Sequence, residues 1–401
     1  MLRHRLIPLG VASLLFSLTI LFMGPITQKL VNTYIKPGVI ETVAESPVPD
    51  LFQGTILQSI VIKSSDVLPI YGSSEFSYGG AFNPTKFYAG KPTGWLPYLV
   101  GHAGSEDLIQ ALYAGGEDLK GKKIALSLSA QWFGGNGISQ AAFGANFSAL
   151  QIYKMLFNPA ITSQTKTDMA ERLLQFDEIK KSYPILEGYL KNYNQPGFLP
   201  YVLETGYWME AKVELAALEI QDAVKTIKDV KKLSAKEIAK NAAAKPSNKF
   251  PNWSALEKKA IADGKVSESN NPFGVTNTYF DKNKDNLVKL KNSQSKAHFY
   301  PSQEYNDLEL LMKVLKDEGA DPIFIIQPVN GYWYDYTGFP KEQRQKYYAQ
   351  VRQMAKQYNF ALADFSGDEY DMYFMSDPSH PNELGWLKID KALDNFVHKA
   401  N

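Results

Sequence analysis

The chain has 401 residues, 44% of them hydrophobic, and its 43 Lys and Arg against 42 Asp and Glu leave a formal net charge of +1. This is enough chain for a large core or two lobes, and so balanced a charge steers the protein as a whole toward no nucleic acid or other polyanion. The absence of cysteine excludes disulfides, a thiolate nucleophile, a lipobox and any Cys-based zinc or iron–sulfur site.

Ile7 to Gly24 carries no charge and is preceded by Arg3, His4 and Arg5. Its length approaches the roughly 20 residues a bilayer-crossing helix needs. The flanking cations keep the N-terminus in the cytoplasm, so that everything after about Lys29 lies outside. The segment is long for a signal-peptide h-region, and no small-x-small site follows Met23-Gly24-Pro25-Ile26. The expectation is a single-pass membrane protein with residues 1–28 as cytoplasmic stub and anchor, and 29–401 as an extracytoplasmic domain.

Beyond the anchor, Ser59 to Tyr71, Lys123 to Ser129 and Pro322 to Gln327 read as strands, the last two behind turn signals at Gly121-Lys122 and Asp321. Ala160 to Leu190, Leu308 to Glu318 and Glu383 to His398 carry apolar residues at helical spacing. Alternating strands and helices imply an α/β fold, a parallel sheet with helices on both faces. From Glu210 to Lys265 the chain turns rich in Ala, Lys, Glu and Asp. This reads as one or two solvated helices forming an insertion at about 205–265.

Two short segments carry the chemistry. Tyr71-Gly72-Ser73-Ser74-Glu75 follows a strand, and Ser376-Asp377-Pro378-Ser379-His380 precedes the last helix. A serine hydroxyl attacks well only when an imidazole takes its proton and a third group holds that imidazole in the right tautomer. The two segments supply such a set, and a nucleophile at the C-terminal end of a strand sits where open α/β sheets bind ligands. Each segment alone also reads as an ordinary turn. No Gly-x-Ser-x-Gly occurs, so the α/β-hydrolase elbow is absent. The five histidines, His4, His102, His298, His380 and His398, show no metal-ligand spacing; neither a metal nor another cofactor is expected.

The early Gly-Ser-Ser and the late Asp-x-x-His resemble the blocks of SGNH (GDSL-like) hydrolases, with Ser73 standing where that family has Asp. The register makes Ser74 the matching nucleophile and implies a flavodoxin-like sheet. Ser129-Ala130-Gln131-Trp132-Phe133 and Gln327-Pro328-Val329-Asn330-Gly331, with Tyr334-Asp335-Tyr336-Thr337-Gly338 after it, extend the resemblance to the DltD family of D-alanyl transfer proteins along essentially the whole chain. The resemblance implies a membrane-anchored protein that works with a membrane-bound O-acyltransferase. It would take a D-alanyl group from an activated donor and help move it onto teichoic acid, through Ser74, His380 and Asp377.

Three groups are candidates for the oxyanion hole: the N–H of Ser74, Gly104 in Gly101-His102-Ala103-Gly104, and the Gln131 amide; no Gly-x-Asn-Asp is present. Glu75 reads as a helix cap in preference to a catalytic acid. Trp132, Asn330 and Tyr334 are candidates for the wall of a polymer groove, with a place in the core as the alternative for the aromatics. Two other functions stay open, a cell-envelope esterase or thioesterase that uses water as acceptor and a non-enzymatic partner subunit.

Overall fold

The computed structural model describes residues 20, 22–45, 55–244 and 250–399. Five strands form one sheet: β1 Val67–Tyr71, β2 Leu96–Val100, β3 Lys123–Leu128, β4 Asp321–Ile326 and β5 Ala361–Asp364. Every pairing is parallel and the order is β2-β1-β3-β4-β5, the order of flavodoxin-like doubly wound sheets. Odd and even residues of a strand point to opposite faces, and both faces here are buried. Tyr71, Leu126 and Phe324 enter one apolar cluster, while Ile70, Ala125 and Ile323 enter another.

The helices that matter below are α1 Met23–Asn32, α2 Ile56–Ile62, α3 Asp107–Gly115, α4 Phe198–Lys232, α5 Trp253–Ser267, α6 Glu304–Glu318, α7 Lys341–Tyr358 and α8 Glu383–His398. Residues of α3, α6 and α7 fill the first cluster. The second takes Trp386, Ile389 and Leu393 of α8 with Ala260 of α5.

Several expectations are corrected. Ser59 to Ile62 is not strand; it belongs to α2, whose Ile56, Leu57, Gln58, Ser59, Val61 and Ile62 are all buried. A short β-branched run does not by itself distinguish a strand from a buried helix. Here Asp222 of α4 decides it, because its Oδ2 accepts the N–H groups of Thr55 and Ile56, both at 2.9 Å, and so caps α2. Ala160 to Leu190 is three short helices, Ser163–Leu173, Asp177–Ser182 and Pro184–Asn192. The helical region begins earlier than Glu210, with the 35-residue α4, and continues through Ala235–Ala243 into α5. One side of α4 is not solvated: Ala211, Ala216, Ala223 and Val230 are buried. The expected membrane span, Ile7 to Gly24, lies almost wholly outside the described residues, among which no helix is long and apolar enough to cross a membrane.

Candidate active site

Ser74 follows the C-terminal end of β1 and Gln131 that of β3, the neighbouring strands between which the strand order reverses and doubly wound sheets leave a crevice. Behind the fully buried β1, the Gly72 N–H donates to Val100 O at 3.1 Å, tying the exit of β1 to that of β2. A side chain at Gly101 would strike the Gly72 carbonyl, and its φ of 119° lies in the region that favours glycine. The chain then turns into one short 3-10 turn, Ser74–Ser77, that presents Ser74 at its head.

His380 comes from the far side, on a turn held from several directions. Asp377 Oδ1 accepts the N–H groups of Ser379 at 2.8 Å and His380 at 3.0 Å, an Asp-initiated turn. Asn330 N–H donates to Pro378 O at 3.0 Å, and Ser376 N–H to His380 O at 2.8 Å. Met375 and Pro381 close the base as an antiparallel bridge.

The result is a continuous chain of side chains. Ser74 Oγ lies 2.8 Å from His380 Nε2, and His380 Nδ1 lies 2.8 Å from Asp377 Oδ2. With the Nδ1 proton donated to Asp377, Nε2 is left to accept from the serine. Burial alone would lower the His380 pKa, but the hydrogen bond and charge of Asp377, with the charge of Glu75, outweigh it and hold the pKa above its usual value.

Glu75 is 2% exposed. Its Oε2 accepts the Ser73 N–H at 3.0 Å, closing back on the residue that caps the turn. Burial raises its pKa against the pull of two backbone N–H groups, the His380 charge and the Ser127 hydroxyl. It therefore caps the turn and also contributes charge beneath His380.

The other expected site residues are distributed differently. The Gly104 N–H is committed to Ser73 Oγ at 3.1 Å. Gln131 is exposed on the wall of a groove of about 560 Å³ that also takes in Tyr334, Pro378, Asn283, Lys296 and His298. Tyr334 is half-buried there, and burial pushes its phenol up to about 12. Trp132 is 5% exposed and packs in the main cluster, and it is not part of this groove's wall. Asn330 is buried as well: its Oδ1 accepts the Trp333 N–H and its Nδ2 donates to Gly274 O, both at 2.9 Å. Its amide therefore has a structural task, starting the helix Gly331–Thr337 and pinning the loop at Gly274.

A second cavity, of about 380 Å³, is lined by Ser74 itself with Phe76, Tyr78, Leu99, His102 and Ala103. Sequence reasoning missed this cavity and the exposed groove residues Lys296 and His298, because no local pattern marks them. The Ser74 hydroxyl thus opens on a largely apolar cavity, Pro378 of the His380 turn lines the groove, and the imidazole at 2.8 Å is able to activate the hydroxyl for attack on an acyl carbon.

The family model for the DltD protein matches residues 44–398. The chain belongs to the DltD family. Protein DltD of Bacillus subtilis is 37% identical over 381 residues, 94% of each chain. Protein DltD of Staphylococcus aureus is 30% identical over 347 residues, 86% of this chain and 84% of its own. Protein DltD of Lacticaseibacillus rhamnosus is 28% identical over 363 residues, 90% of this chain and 84% of its own.

Proposed function

We propose that this protein is a serine acyltransferase of SGNH type that passes D-alanyl groups to teichoic acid on the outer side of the membrane, anchored by residues 7–24 and working beside a membrane-bound O-acyltransferase. The observation that carries the reading is the 2.8 Å approach of Ser74 Oγ to His380 Nε2, with Asp377 on the opposite nitrogen. Membership of the DltD family supplies the D-alanyl and teichoic acid context.

In this reading Ser74 Oγ attacks the carbonyl carbon of an activated D-alanyl ester while His380 Nε2 takes its proton. The tetrahedral oxyanion is met by backbone donors at the head of the 3-10 turn, the Ser74 N–H first. On collapse, the bond to the donor breaks and the leaving group departs with the proton from His380. A D-alanyl ester of Ser74 remains. A polyol hydroxyl then gives its proton to His380 and attacks the same carbon, and Ser74 departs with that proton restored. Asp377 holds the imidazole and supports its positive charge throughout. The groove with Lys296 and His298 suits an extended phosphate-bearing acceptor, because two exposed basic side chains stand on its wall.

The direct test is labelling of the purified full-length protein with a fluorophosphonate. A phosphonyl group on Ser74, absent from Ser74→Ala and strongly reduced in His380→Ala, is the expected result. Labelling of Ser73, or none in the wild type, removes the serine mechanism.

A further inference from the structure

Helix α4 carries an exposed apolar row that the folded body leaves uncovered. Val202, Met209, Val213, Ile220 and Val224 recur at helical spacing and are 43–56% exposed, over about 33 Å of helix at 1.5 Å per residue. The opposite side of the helix is used by the protein: Ala211 belongs to the main core, and Tyr207, Leu215 and Leu218 pack against it. The helix opens with six uncharged residues, Phe198-Leu199-Pro200-Tyr201-Val202-Leu203, all of them exposed except the half-buried Pro200. A row of this length along one face exceeds what scattered surface hydrophobes explain.

The neighbour of α4 indicates what the row meets. Gly24 of α1 lies against Glu219, and Val31 shares a cluster with Ala223 and Ile227. The two helices therefore run side by side in the same direction. On α1, Gly24 and Gln28 line a polar cavity against Gly116 and Lys154 of the body, while Phe22, Ile26 and Leu30 are at least half exposed. That second row begins directly where the uncharged segment ending at Gly24 arrives. If the segment enters the bilayer, as the anchor reading on which this inference rests holds, the rows of both helices stand beside the lipid surface.

We infer that α1 and α4 form a platform lying flat on the outer face of the bilayer, with their apolar rows at the boundary between headgroups and acyl chains. The turn at Phe22 and the proline in the first turn of α1 mark where the chain leaves the platform for the membrane. An amphipathic helix lies in this way when one face is apolar along its length. Phe22, Phe198, Tyr201 and Trp208, all exposed, include the ring types that favour the interface. The occupant is lipid in preference to a partner helix because the surface is two neighbouring rows rather than a single seam, and because the anchor brings lipid to it without any further component.

The chain has no cysteine, so single cysteines report position directly. Ile26→Cys, Met209→Cys, Val213→Cys and, as a reference, Val288→Cys are made in the full chain; Val288 is 90% exposed. Each is labelled with an environment-sensitive fluorophore and reconstituted in phosphatidylglycerol–phosphatidylcholine vesicles containing doxyl lipids, with circular dichroism confirming the fold. The expected result is lipid quenching several times stronger at positions 26, 209 and 213 than at 288. Quenching no stronger than at 288, in protein that resists alkaline extraction, overturns the platform while leaving the anchor. Labels unquenched in pure lipid but shielded in native membranes overturn it in favour of a protein partner. Release by alkaline extraction together with absent quenching overturns the anchor and the platform together.

Discussion

The hydroxyl of Ser73 is engaged with Gly104, not with the His380 imidazole that the next residue, Ser74, meets. It accepts the Gly104 N–H at 3.1 Å and donates to His102 O at 3.2 Å, while Ser74 Oγ alone meets His380. Ser73 is thus a strap between the exits of β1 and β2. Ser73→Ala is expected to cost about 1–3 kcal/mol of stability for a buried hydrogen-bond pair and to retain most transfer activity. Ser74→Ala is expected to fold normally and lose activity by roughly 10³-fold or more. Denaturant unfolding and D-alanine incorporation, measured on both variants, separate the strap from the nucleophile.

The His380 pKa is held up by Asp377 and Glu75 against burial. The base must be neutral to act, so the rate rises with pH through that pKa. Asp377→Asn removes the larger charge and is expected to lower the rate by about 10³–10⁴-fold while moving the acid limb of the residual activity to lower pH. Glu75→Gln moves it the same way by less. A pH–rate profile for the three proteins checks both the direction and the order.

Lys296 and His298 stand exposed on the groove beside Pro378. Lys296→Glu is expected to raise KM for an anionic polymer acceptor and to leave fluorophosphonate labelling of Ser74 unchanged. Titration of transfer against acceptor concentration at two ionic strengths reads this, because the effect of the lost cation shrinks in salt.

Burial raises the Glu117 carboxyl to about 7, against the lowering effect of hydrogen bonds from Ser59 and Gln58. A group whose folded pKa exceeds its unfolded value binds more protons when folded, so its share of stability falls as pH rises from about 4.5 to 7. Glu117→Gln keeps the shape and removes the titration. Thermal unfolding of the variant is expected to show a gain over wild type at pH 8 that vanishes at pH 5.

Arg172 meets Asp307 through two bonds, Nε to Oδ1 at 2.7 Å and Nη2 to Oδ2 at 2.9 Å, with both residues buried. Asp107 and Glu304, completely buried, feel the charge of Asp307 and are themselves raised by burial. Arg172→Met leaves Asp307 without its cation beside two further buried carboxyls and is expected to cost about 3–5 kcal/mol. Arg172→Met with Asp307→Leu is expected to recover most of it. A double-mutant cycle by denaturant unfolding measures the difference.

Much of this architecture was legible from local pattern. Lys123–Leu128 and Asp321–Ile326 carry the apolar runs Ile124-Ala125-Leu126 and Pro322-Ile323-Phe324-Ile325-Ile326 behind turn residues, and α8 follows its periodicity from Glu383 to His398. β2 was not legible because Leu96–Val100 contains Pro97, tolerated here on an edge strand. β5 is four residues long and only partly buried, so it carries almost no pattern. Ser74, Asp377 and His380 could be singled out because their chemistry is rare and their order along the chain informative. The burial of Trp132, the structural use of the Asn330 amide and the two tasks of Glu75 depend on contacts across the fold that no local spacing encodes.

The measurement that bears most directly on the account is the D-alanine ester content of lipoteichoic and wall teichoic acid in a strain lacking this protein, complemented with wild type, Ser73→Ala, Ser74→Ala or His380→Ala at matched membrane levels. The account predicts that wild type and Ser73→Ala restore the esters while Ser74→Ala and His380→Ala do not. Restoration by all four would contradict it and leave a non-enzymatic role for the protein.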